Sequence, residues 1–151
     1  MLQPVAHALL QVDESVREFT EGLTADEWNA RPANVASSAF HLRHITGVID
    51  RLFAYARGDS LTEEQLAALR REGDHLASDD IASTLDSFSQ RISSAVAELR
   101  TIDPATLGDF REVGRARLPS TVIGCLAHAA EHAMRHVGQL SVTVRIVRSA
   151  S

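Results

Sequence analysis

The chain has 151 residues, 44% apolar and 23% charged, with 15 basic against 20 acidic side chains and a net charge of −5. That is apolar material for one compact domain over residues 1–151, and the acidic balance argues against nucleic acid, whose phosphates demand a positive footprint. Every basic residue is Arg and the only cysteine is Cys125, which removes lysine Schiff-base chemistry, intrachain disulfides and any zinc site built from several thiolates.

In chain order, Met1 to Leu10 lacks the basic start and apolar run of a secretory signal. No stretch approaches the ~20 apolar residues of a membrane span. The expected location is therefore the cytoplasm, and the lone thiol agrees with a reducing compartment. Val5, Leu9, Val12, Val16 and Phe19 recur at intervals of three and four and predict an amphipathic helix over about Pro4 to Thr20. Thr24 to Glu27 carries a capping-box pattern for a short helical turn around Trp28. Arg31-Pro32-Ala33-Asn34 breaks the chain. A second long helix follows from about Ser37 to Arg57, with Ser37 or Ser38 as cap and Gly58 as stop. Thr62 caps a short helix to Arg71. Ile81, Leu85, Phe88, Ile92, Val96 and Leu99 mark one stripe of a third long helix, which Asp103-Pro104 closes.

Residues 105–119 lose the period and read as an irregular crossover whose Arg111 to Arg117 run is a solvated loop. Pro119 is read as the first residue of a last helix running to Val147, ahead of a frayed Ser149-Ala150-Ser151 tail. Four long amphipathic helices with unequal connections imply an all-α, four-helix bundle with a long crossover before the last helix.

Seven histidines are the anomaly. On a wheel of about 100° per residue, Val122, Leu126, Ala129, Ala133, Leu140, Val144 and Val147 form the core stripe of the last helix. His136 falls inside that stripe and His132 on its shoulder, about 80° from the centre, while His128 lies about 120° away and Glu131 faces water. His132 and His136, one turn apart, are a natural bidentate grip on a transition metal. A third ligand is available from the second helix, whose buried stripe includes both His41 and His44. Buried imidazoles need hydrogen-bond partners in any case, so a plain bundle in which they only bond one another is the alternative. Arg43 and Arg135 are expected to point to solvent, and Cys125 to be a packed core thiol rather than a nucleophile paired with His128.

Two stretches carry a wider signal. Ser38-Ala39-Phe40-His41-Leu42-Arg43-His44-Ile45 and His128-Ala129-Ala130-Glu131-His132-Ala133-Met134-Arg135-His136-Val137-Gly138-Gln139-Leu140 resemble the signatures of the DinB/YfiT-like metalloprotein family, a hydroxyl or small residue with "HLxH" on the second helix and "HxxxHxGQ" on the fourth. The likeness spans essentially the whole chain. It implies a bundle holding one divalent metal, zinc or nickel, through His44, His132 and His136, with His41 as a second candidate near His44. It also implies a homodimer, with the Phe40/Phe53 flank and Val142/Ile146 compatible with its interface. The activity implied is that of a metal-dependent enzyme on a small-molecule substrate, foremost a thiol-dependent S-transferase or related detoxifying activity using a low-molecular-weight thiol. A metal-dependent hydrolase and a non-catalytic metal-binding bundle are the alternatives. For hydrolysis a carboxylate base is missing, since Glu131 precedes His132 and faces away.

Overall fold

Apolar residues spaced three and four apart drive four long helices, and the computed structural model describes them within residues 2–150. α1 (Gln3–Thr20) buries Val5, Leu9, Val12 and Val16. α2 (Ala25–Asn29) begins at a complete capping box, with Thr24 and Glu27 satisfying each other's backbone amides, and drives Trp28 into the core. A 3-10 turn at Pro32–Asn34 holds Ala33 and Asn34 at positive φ and resets the chain direction. α3 (Ser38–Arg57) is capped by the Ser37 hydroxyl, which accepts from the Phe40 amide at 3.2 Å, and is stopped by Gly58 at φ 86°. α4 (Glu63–Arg70) has its own box between Thr62 and Gln65. α5 (Ile81–Leu99) buries Phe88, Ile92, Ala95 and Leu99.

α1 and α3 each pack against both α5 and the last helix, α6 (Val122–Ala150), so the four close a ring around a shared core. α3 and α6 run antiparallel, with His41 opposite His136 and His44 opposite His132. The all-α bundle with a long crossover is therefore the observed architecture. Among the described residues no helix is long and apolar enough to cross a membrane.

The crossover is more ordered than its composition implies. Residues 105–119, read as irregular, contain an antiparallel hairpin, β1 (Phe110–Val113) paired with β2 (Leu118–Thr121). Its turn places Gly114 and Arg117 at positive φ, 73° and 51°. Pro119 lies inside β2 opposite Glu112, not at the start of the helix. A two-stranded ribbon consists of edges, where a missing amide is tolerated. The helix instead starts at Val122, where the crossover supplies the cap. The Val122 and Ile123 amides donate to the carbonyls of Asp109 and Leu107, both at 3.0 Å, and the Gly124 amide to the Thr121 hydroxyl at 3.1 Å. The Arg run is not wholly solvated either, because Arg111 Nε donates to the Ala56 carbonyl at 2.8 Å and closes the end of α3.

At the other end α6 continues past Val147, so Ser149 is helical rather than frayed, and Ser151 lies outside the described residues. The Phe40/Phe53 flank is likewise corrected. Phe53 is fully buried with the Arg91 guanidinium 5.3 Å from its ring centre, and Phe40 stacks on His44. Val142 and Ile146 are the exposed pair, at 56% and 42%.

Candidate metal centre

The site forms where α3 and α6 cross, because both helices bring a histidine to the seam on successive turns. His44 Nε2 lies 3.0 Å from His132 Nε2, and one nitrogen from each of His44, His132 and His136 falls within 4.8 Å of the others. The rings of His44 and His136 are centred 4.3 Å apart, and those of His132 and His136 4.8 Å. His41 is not one of the three. It is buried, and its Nδ1 meets His136 Nδ1 at 3.1 Å, so it supports His136 from behind. When His136 is the donor in that contact, its own Nε2 keeps a free lone pair. Phe40 covers the other side, its ring nearly parallel to that of His44 at 5.1 Å.

The chain favours neutral imidazoles here. Burial, and then the neighbouring His44, push the His41 pKa down to about 4. Burial, followed by the charges of His44, His132 and His41, takes His136 to about 4 as well, and burial with His44 lowers His132. Each imidazole that stays neutral near pH 7 keeps a lone pair to donate. This has a consequence for the metal-free protein. Unfolded imidazoles titrate near 6.5, so as the pH falls the unfolded chain takes up protons before the folded one does. The contribution to stability is fully present above about pH 6.5 and is lost toward pH 4, by up to about 3 kcal/mol for the buried His41. Urea unfolding of metal-free protein between about pH 7 and about pH 4 measures it, and a flat profile contradicts it.

A further participant leaves only an indirect trace in the sequence. Glu72, on the loop after α4, is 5% exposed, accepts a hydrogen bond from His44 Nδ1 at 2.7 Å, and pairs with Arg51 Nη1 at 2.9 Å. Burial raises its pKa, but the bonds from His44 and Arg51 outweigh that and hold the carboxyl below the usual range. One trace was legible. Gly47, in the interior of α3 where glycine costs about 1 kcal/mol relative to alanine, signals a close approach. A Cβ there would stand 2.5 Å from Arg51 Nη1 and 2.7 Å from Glu72 Oε1.

The other candidates fall elsewhere. Glu131 is exposed and bonded to Arg135, on the solvent side as the wheel places it. His128 is exposed and reaches His132 only from the outside, in a second and more exposed group with Glu131. Arg43 is half-buried and structural, donating to the carbonyls of Asp74 and His75. Cys125 is fully buried with its Sγ near Ser120 rather than His128, and burial pushes its pKa up, as expected of a packed thiol.

The donor set is one that could hold a metal ion. It offers three imidazole nitrogens on facing helices, one of the rings bonded through its far nitrogen to a buried carboxylate, a common arrangement behind metal-ligating histidine. Fold and site together define a four-helix bundle with a histidine centre between its second and fourth long helices. The chain belongs to the DinB superfamily, whose family profile matches residues 8–140. A conserved protein from Enterococcus faecalis, known from a crystal structure, shares the fold at a TM-score of 0.81 and 18% identity, over 99% of this chain and 98% of that one. None of the curated proteins matches the chain significantly.

Proposed function

We propose that this chain is a metal-dependent enzyme in which His44, His132 and His136 hold one divalent ion, zinc or nickel, and that it transfers a small-molecule substrate to a low-molecular-weight thiol. The observation that carries this reading is the convergence of three imidazole nitrogens within 4.8 Å of one another. Three ligands leave room in the ion's coordination sphere, and the bound ion would supply a Lewis-acidic centre able to hold a thiol as thiolate near neutral pH.

The chain's own carboxylates favour a thiol over water. Glu72 is committed to His44 and Arg51, and Glu131 to Arg135, so neither stands ready as the general base that hydrolysis asks for. A thiol, which ionises at about pH 8.5 and so far more readily than water, relaxes that need. Space for an organic substrate lies next to the centre. A groove of about 470 Å³ is lined by His41, Gly138, Thr143, Val142, Ile146 and Val35, mostly apolar, with Arg135 and Gln139 also at its edge. His41 lines this groove and contacts His136 from behind, so the groove adjoins the histidine cluster through His41 rather than through the three ligands. The proposal includes a homodimer. A second copy packed on the exposed Val142 and Ile146 would roof the groove.

Native mass spectrometry of tag-free protein tests ion and copy number together. The expected result is one metal per chain in a two-chain particle, with the metal lost in the His132→Ala/His136→Ala variant while the helical circular-dichroism signal persists. A wild-type protein that stays metal-free after zinc and nickel reconstitution sinks the enzyme reading, and a one-chain particle sinks the dimer.

A further inference from the structure

The arrangement around Glu72 goes further than an ion pair that happens to be buried. The carboxylate comes from a loop, not from the helix it serves, and the chain anchors that loop at two points just beyond Glu72. Arg43 donates to the Asp74 carbonyl at 2.6 Å. Asn29 grips Leu76 twice, accepting from its amide at 2.8 Å and donating to its carbonyl at 2.9 Å. Gly47 gives up helix propensity at the one place where a side chain would collide with Arg51 and Glu72. An Arg51–Glu72 pair alone would need one carboxylate oxygen. The second is aimed at His44 Nδ1.

We propose that Glu72 is the positioning residue of the centre: it holds the His44 proton on Nδ1, so that the Nε2 lone pair is presented toward His132 and His136, while Arg51 holds the Glu72 carboxylate in place. This rests on the three-histidine reading above. The chemistry follows from the donors present. A carboxylate only accepts, so it accepts from Arg51 and from His44 Nδ1–H together, which leaves Nε2 unprotonated in the neutral ring. An amide in the same place has one accepting and one donating end. Arg51 offers donors only and takes the oxygen, so the NH2 group of Glu72→Gln faces His44 Nδ1. The ring then carries its proton on Nε2, where it blocks coordination.

The test uses two variants of the full chain and two readouts. Two-bond ¹H–¹⁵N spectra of metal-free protein report the His44 tautomer, and competition with a chromophoric chelator gives zinc affinity. Wild type is expected to show Nδ1–H. Glu72→Gln is expected to show Nε2–H and to bind zinc about 10- to 100-fold more weakly, the usual effect of losing a carboxylate behind a ligating histidine. Gly47→Ala leaves every ligand and Glu72 itself unchanged, yet it is expected to weaken zinc binding because its Cβ displaces the Glu72 carboxylate. A purely structural Glu72 would alter melting temperature in both variants and affinity in neither. Zinc affinity within twofold of wild type in both variants overturns the proposal, whatever the tautomer does. If wild-type protein takes up no zinc, the metal reading fails on its own. The spectra then decide whether Glu72 orients His44, with an unchanged Nδ1–H signal in Glu72→Gln overturning it. Should Glu72→Gln not fold, Gly47→Ala carries the same decision.

Discussion

Phe53→Ala is expected to destabilise the protein by about 4 kcal/mol, the range for truncating a fully buried phenylalanine. Phe53 has no exposed surface and lies on α3, the helix that carries His41 and His44. Two losses combine. The ring leaves a cavity among close-packed neighbours. The Arg91 guanidinium, 5.3 Å from the ring centre, also loses a favourable partner, and its remaining contacts to Asp50 and Glu98 are long, at 3.5 and 3.7 Å. Because domains of this size are stable by only about 5–15 kcal/mol, such a loss removes a large share of the total. Guanidinium titration monitored by circular dichroism measures it. Phe53→Leu, which keeps most of the volume, should cost below about 1.5 kcal/mol, and equal costs for the two would contradict the packing argument.

The second large effect is electrostatic. Arg51→Met leaves the Glu72 carboxylate buried with His44 as its remaining partner, and is expected to cost about 3–5 kcal/mol, as breaking one side of a buried pair generally does. Arg51 is 9% exposed and Glu72 5%, so water cannot replace the lost guanidinium. Removing both charges in Arg51→Met/Glu72→Gln should recover more than half of that loss, because no uncompensated ion remains. The exposed Arg135–Glu131 pair, at 55% exposure on each side chain, gives the contrast. Arg135→Ala should change stability by less than about 1 kcal/mol. A double-mutant cycle at 51 and 72 with no coupling would show that the pair is solvated in solution.

How far the sequence could be read follows from where each signal resides. The four long helices were legible because each buries one stripe, and their ends because capping chemistry is local. Ser37 and Gly58 bound α3, and Thr24 with Glu27 opens α2. The helical wheel put His132 and His136 on the inner side of α6 and Glu131 on the outer, and the structure does the same. The hairpin was not legible. Its strands are four residues long, and Phe110 and Leu118 are more than 60% exposed, so neither strand has an apolar face to betray it. Pro119 suggested a helix start because proline favours two situations, a first turn and a strand edge, and only tertiary pairing chooses between them. His41 and His44 both lie on the inner face of α3 and differ by what they meet across the seam, a difference that only the partner helix supplies. Glu72 was out of reach for a different reason. Its partners lie 28 and 21 residues earlier in the chain, and no periodicity links a loop carboxylate to a helix face.

The double grip of Asn29 on Leu76 also gives the protein an internal reporter. The Leu76 amide is buried, and its bond runs to a side chain rather than into a helix. Its hydrogen exchange therefore records separation of the loop from the end of α2. Since Glu72 rides on the same loop, the protection of this one amide measures how often the support behind His44 is withdrawn.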